Sequence, residues 1–391
     1  MSAGPFSLSQ DLKRLRDEGY SVQIRGNLLI LRGVPYVDGA RQVRRGNLIS
    51  PLVMAGDVTR RPDNHVIWWD GAYPCNPDGA PIAALRHQDH PVDMGHGITA
   101  CHGFSNKPPE GYVDYHQKMT TYVAVISGPA TTLEPGINAR PYAPPEPEEE
   151  SPFNYMDTAS ARAGIGALAE RLAKDRVAII GLGGTGSYVL DLVAKTPVPE
   201  IRLFDADEFL THNAFRAPGA ASLDELRDAP LKVEHFKGIY SRMHRGIVAH
   251  PVAITEANAH LLDGVTFAFI SIDDGPSRRV VMNKLDAIGA SYVDVGMGLE
   301  LDGDSLGGIL RVTSSTPGKR DHVRAGRVDF ADAGGGDVYA SNIQVADLNA
   351  LNAILAVIKW KKIRSFYRDL EREHHSTYTT DGNMLLNGDQ A

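Results

Sequence analysis

Cysteine is the scarcest residue of consequence in this chain of 391 residues: there are two. Two thiols cannot build a disulfide framework, and a four-cysteine zinc site is impossible. No apolar run reaches the ~18 residues that a membrane span needs. The N-terminal stretch MSAGPFSLSQDLKRLRDEG lacks the apolar core of a signal peptide. A soluble, cytoplasmic protein with reduced thiols and no membrane partner is the expectation. Long basic runs are missing too. Lys and Arg number 40 against 48 Asp and Glu, so the net charge is −8. Duplex nucleic acid needs clustered cations to neutralise phosphates, so no nucleic-acid partner is expected. With 42% hydrophobic and 23% charged residues, the composition is that of a globular protein.

Length predicts two or three domains. The clearest seam is Pro129 to Pro152, with seven prolines and the ending Ala143-Pro-Pro-Glu-Pro-Glu-Glu-Glu-Ser-Pro152. Proline cannot continue a helix, and the acidic run repels itself. The division expected is therefore an α+β module over 1–128, a Pro/Glu-rich linker over 129–152 and a second module over 153–391. In the first module a short helix over 8–16 precedes β-rich runs at 20–24, 28–31, 66–69 and 122–126. The second alternates: strand 176–180, helix 186–195, strand 200–204, mostly helix over 223–243, then strands at 246–253 and 267–272. Such alternation predicts a Rossmann-like α/β fold with a mainly parallel sheet. The run 345–359 is apolar nearly all round, which predicts a helix buried in a core or an interface.

The strongest motif is Val177-Ala-Ile-Ile-Gly181-Leu-Gly183-Gly184-Thr-Gly186-Ser187. A strand runs into glycines and then into a helix. Glycines let the backbone approach a phosphate, and the free N–H groups at the helix start favour an anion. By itself the pattern fits a nicotinamide-dependent oxidoreductase as well as an ATP user. A structural glycine turn with no ligand is the plainest reading of all. The residues after the second strand weigh between them. Asp205 stands 19 positions after Gly186, where a Rossmann fold puts the acid that takes ribose hydroxyls. Asp207, Asn213 and Arg216 follow. An added amide and guanidinium suit a triphosphate that must be bent and cleaved.

The series Gly-x-Gly-Gly-x-Gly, Asp-x-Asp and Asn-x-x-Arg resembles the adenylating domain of the ThiF/MoeB family, which includes ubiquitin-activating enzymes. The likeness covers about residues 155–310, with a looser match through the late apolar helix. In that family a lysine follows; here Lys232 stands in Pro230-Leu-Lys232-Val233. A strand then ends in an aspartate that holds magnesium, matched by Asp273. An arginine ahead of the first strand is lent across a dimer, and Arg162 is the best-placed match. The resemblance implies attack by the C-terminal carboxylate of a ubiquitin-like protein ending in glycine on the α-phosphate of ATP, with pyrophosphate leaving. It implies ATP and Mg²⁺ at the site and a homodimer. Gly181, Gly183, Gly184, Gly186, Asp205, Asp207 and Asn213 would bind nucleotide; Arg162, Arg216, Lys232 and Asp273 would act in catalysis. Some bacterial relatives belong to ubiquitin-like or antiphage systems and carry N-terminal extensions, some resembling conjugating enzymes. A non-catalytic nucleotide-binding scaffold is the remaining alternative.

The chain departs from the family pattern in two ways. It has no paired Cys-x-x-Cys for zinc, and no cysteine follows residue 101, so an internal thioester in the second module is excluded. An acyl group would stop at the adenylate, pass to another protein's thiol, or use a hydroxyl among Thr313, Ser314, Ser315 and Thr316. Cys75, in a turn-rich loop expected to be exposed, and Cys101, beside His102, are the only thiols. A buried small hydrophobe is the commoner role for a free cysteine. The histidines His65, His87, His90, His96, His102 and His116 have no spacing diagnostic of a metal.

Overall fold

The computed structural model describes residues 9–142, 151–155, 157, 165–331 and 343–390. By contacts the chain divides into two units, 1–170 and 171–391.

The first unit is built on six antiparallel strands: β1 (Ser21–Arg25), β2 (Leu28–Val37), β3 (Val43–Pro51), β4 (Val66–Trp69), β5 (Arg86–Gln88) and β6 (His102–Ser105), in the order β1-β2-β3-β4-β6-β5. Helices α1 (Gln10–Asp17) and α2 (Tyr115–Leu133) also contribute to its core. Leu12 and Leu15 pack there with Leu31, Trp69, Tyr115 and Tyr122.

Two expectations fail here, for one reason. The run 122–126 reads as β-rich but lies inside α2, and that helix carries Pro129 within it. Buried Tyr115, Met119, Tyr122, Val123, Ile126 and Ala130 recur at helical spacing, and this stripe outweighs the β propensity of five residues. Asp114 starts the helix by accepting the Gln117 N–H at 2.7 Å. The seam therefore begins after Leu133 rather than at Pro129. Beyond it, Ala139 still belongs to the first core, and Asn27 Nδ2 donates to Asp157 O at 2.8 Å. Chain that the sequence assigns to the second module thus stays with the first unit.

The second unit holds an eight-stranded sheet. Its strands are β7 (Arg176–Ile180), β8 (Glu200–Phe204), β9 (Ile247–His250), β10 (Phe267–Ile270), β11 (Ser291–Asp302), β12 (Ser305–Ser315), β13 (His375–Thr379) and β14 (Met384–Gly388). The order is β9-β8-β7-β10-β11-β12-β13-β14. The pairings through β11 are parallel, and those beyond it antiparallel. This is the mainly parallel, Rossmann-like sheet expected. One face packs against α3 (Gly184–Val193), α4 (Lys232–Tyr240) and the last helix, through Val189, Phe236, Ala353 and Trp360. The other packs against α5 (Gly275–Ala287) through Val281, Met282 and Leu285.

The expected helix over 223–243 is broken. Ala229 turns left-handed at φ 41°, and Pro230 cannot donate to the preceding turn. Chain direction resets there, and α4 opens on Lys232. The last helix, α6 (Ala346–Ile363), is buried along one face only; Ile354 and Ile358 are 42% and 37% exposed. Among the described residues no helix is long and apolar enough to cross a membrane.

Candidate active site

A cavity of about 360 Å³ opens across the carboxyl ends of the parallel strands. Its floor is the glycine turn between β7 and α3, where each glycine has a different job. Gly181 takes φ 89°, a conformation side chains resist, and its N–H donates to Phe204 O at 2.8 Å. A methyl group on Gly186 would collide with the Gly181 carbonyl, so this glycine allows the helix to sit close on the strand. One on Gly184 would collide with the Asn349 amide of α6. Only Gly183 of the four faces open space. Gly184 and Gly186 thus also make room for protein. Gly181, Gly183 and Gly184 line the cavity, whereas Gly186 does not.

The acids after β8 are tied to this turn. Asp205 Oδ2 accepts the Leu182 N–H at 2.7 Å, and Oδ1 accepts the Asp207 N–H at 2.9 Å. Lys232 Nζ lies 3.4 Å from Asp205 Oδ1 and 2.6 Å from Asp207 Oδ2. The Lys232 and Asp205 side chains are each 8% exposed, while that of Asp207 is 58% exposed. One buried cation therefore bridges a buried and a solvated carboxylate at the cavity wall. Arg216 lines the same cavity. Asn213 does not; its Oδ1 accepts the Leu210 N–H at 2.9 Å and closes the turn that carries Arg216.

On the far side of the glycine turn, Ser271 Oγ donates to Gly181 O at 2.8 Å. The exposed carboxylate of Asp273 lines the cavity. Asp274 caps α5 by accepting the Ser277 N–H at 2.7 Å. Arg278 is buried and donates to the carbonyls of Ile272 and Asp329, which anchors the Asp273 loop. Its Nε lies 3.1 Å from Asp294 Oδ1, and Arg311 Nη2 lies 2.6 Å from Asp294 Oδ2. Burial pushes the Asp294 carboxyl up, and the two guanidinium groups pull against that shift. Arg278 did not stand out in sequence as part of the site, although it follows Asp273 by five positions. Arg162 falls outside the described residues.

Residues 159–304 match the ThiF family. This segment is a ThiF family domain. Residues 10–158 match a domain of unknown function, DUF6791. Among solved structures, E. coli MccB with ATP is 18% identical, covering 59% of this chain and 71% of that one, at a TM-score of 0.46. MccB with N-formylated MccA is 19% identical, covering 59% and 69%, at 0.45. PaaA is 15% identical, covering 57% and 75%, at 0.40. Among curated proteins nothing matches.

The candidate acyl-acceptor hydroxyls differ in how they are placed. Thr313 Oγ1 and Ser314 Oγ lie 3.0 and 3.1 Å from His375 Nδ1 and His374 Nδ1, so bases are in reach. Thr313, Ser314 and Ser315 are nevertheless fully buried, whereas Thr316 is half-buried. Cys75 is also buried rather than exposed, because its backbone bridges Val37 and Pro81. Burial pushes its thiol pKa up, away from the reactive thiolate. His102 is engaged by Asp89, with Nδ1 at 3.2 Å from Oδ1.

Proposed function

We propose that the second unit activates a carboxylate with ATP: a protein's C-terminal carboxylate oxygen attacks the α-phosphorus, an acyl adenylate forms and pyrophosphate leaves. The observation that carries this reading is the convergence of Asp205, Lys232, Arg216 and Asp273 around the glycine turn of one cavity in a ThiF domain. Asp205 holds the ribose hydroxyls. The N–H groups at the start of α3, beside open Gly183, face the phosphates. Lys232 and Arg216 spread the negative charge that grows on the phosphate oxygens and leaving group. Positioning and charge stabilisation together account for such a reaction.

Magnesium fits this site as a substrate-borne ion. Among the described residues no three His, Cys, Asp or Glu side chains form a cage. Mg²⁺ needs only one or two carboxylates when phosphates and waters fill its shell. Asp273 supplies the carboxylate, and the bound ion would neutralise phosphate charge.

The substrate read from the family resemblance is a ubiquitin-like protein ending in glycine, with Arg162 lent across a homodimer. A nicotinamide-dependent oxidoreductase is the competing reading; the Lys232–Asp207 bridge and Arg216 beside the glycine turn favour the triphosphate. The test is Asp273→Asn in ATP–pyrophosphate exchange. The amide keeps the shape and loses the charge that holds the ion, so exchange should vanish while the fold is kept. Exchange within about threefold of wild type, well short of one ~1.4 kcal/mol decade, would remove Asp273 from the reaction.

A further inference from the structure

The cavity has a second flank, across the sheet from Asp205. Val295, Gly296 and Met297 of β11 line it, with Gln344 and Asn352. Asp205 follows β8, three strand spacings or about 14 Å away. Strand β11 outruns its parallel neighbour. It pairs with β10 only through Asp294, whereas its pairing with β12 continues to Asp302. From Val295 onward, the β10-side edge has no strand partner among the described residues, and that open edge faces the cavity.

Asn352 stands over this edge. Its side chain is buried, with the residue 1% exposed, and Nδ2 donates to Gly296 O at 3.1 Å. A carbonyl only accepts, so that bond fixes which end of the amide is which. The other end, Oδ1, is buried and has no hydrogen-bond partner among the described residues. Gln344 Oε1 is in the same condition. An orphaned buried acceptor is costly to leave without a donor. A ligand that satisfies these oxygens must bring N–H or O–H donors. The triphosphate has none at its phosphates, and the ribose hydroxyls belong at the Asp205 flank with the adenine amine that the same ribose carries. A peptide brings backbone N–H groups, and an open strand edge is what an extended peptide adds to.

We infer that Asn352 is a specificity-determining residue for the acyl substrate: its Oδ1 accepts the last backbone N–H of an extended peptide tail lying along the open edge of β11, whose carboxylate reaches the glycine turn. The inference rests on the adenylation reading and narrows it. The substrate's last peptide bond must carry a hydrogen, so chains ending in proline or an N-alkylated residue are rejected.

The test uses the full chain and two unreactive acyl-adenylate mimics, glycyl-glycyl-sulfamoyladenosine and its analogue with the last peptide nitrogen methylated. Calorimetric titration should show the methylated mimic binding wild type about tenfold more weakly, the loss of one buried hydrogen bond. In Asn352→Ala the two mimics should bind within about threefold of each other; Asn352→Ser, which keeps an oxygen, should restore part of the difference. Equal binding of both mimics to wild type overturns the inference without any variant. So does an undiminished tenfold difference in Asn352→Ala. If ATP binds and neither mimic does, the peptide site falls while the nucleotide reading stands. If ATP does not bind either, the adenylation reading fails and takes this inference with it.

Discussion

Replacing Lys232 with methionine deletes one ammonium group and keeps the apolar stem in place. In the native protein that ammonium sits 3.4 Å from Asp205 Oδ1 and 2.6 Å from Asp207 Oδ2. At an effective dielectric of ~20 the buried partner, Asp205, alone attracts it by roughly 5 kcal/mol, an upper bound before desolvation. Breaking a buried pair typically costs about 3–5 kcal/mol, because the remaining charge is stranded. Two features reduce that here. Asp207 is more than half exposed, so water takes over its charge. Asp205 keeps its bonds from the Leu182 and Asp207 N–H groups. The expected loss is about 2 kcal/mol, or roughly 4–8 °C of melting temperature for a unit of this size. Differential scanning calorimetry of the full chain reads it from the transition of the second unit. Pyrophosphate exchange should fall at least about a hundredfold in parallel, as expected when a charge-stabilising donor is removed. A melting temperature unchanged within about 1 °C would refute the bridge as a structural element. Retained exchange would refute its placement beside the phosphates.

Three further outcomes follow from the same geometry. Gly186→Ala should destabilise by about 1–3 kcal/mol, since its methyl meets a backbone carbonyl that cannot move aside, whereas Gly183→Ala should leave melting nearly unchanged and weaken ATP binding. Burial pushes the imidazoles of His244, His250, His374 and His375 down. The unfolded chain then binds more protons below about pH 6.5, so stability is full above that value and is lost as pH falls through the folded values; equal melting temperatures at pH 7.5 and 5.5 would contradict this. Cys75→Ser with Cys101→Ser should leave pyrophosphate exchange nearly intact, because no thiol lines the cavity; a reducible adduct with the substrate protein, lost in either variant, would make the first unit a transfer domain.

The cavity was legible where chemistry follows chain order. The strands at 176–180 and 200–204 lie where their apolar runs put them, and Gly181, Asp205, Lys232, Arg216 and Asp273 line one cavity. What sequence could not resolve was which neighbour each residue serves. Gly184 and Gly186 fit a phosphate motif, yet they relieve contacts with Asn349 and Gly181. Asn213 is part of the same motif and closes a turn. Asn349 and Asn352 were hidden in a helix read by its apolar residues; an i, i+3 pair of amides in that run was the available signal. In the first unit, a five-residue β-branched and aromatic window at 122–126 masked the longer helical stripe from Tyr115 to Ala130. Short windows report propensity, and only the full run reports which face is buried.

The central claim is tested most directly by following the phosphates of ATP. The full chain is incubated with Mg²⁺, a small protein ending in glycine, and ATP labelled at the α- or the γ-position in separate reactions. The account predicts that α-label becomes attached to the small protein's carboxylate, that γ-label leaves in pyrophosphate, and that Asp273→Asn does neither. Transfer of γ-label to the protein, or NAD binding with hydride transfer and no use of ATP, would contradict it.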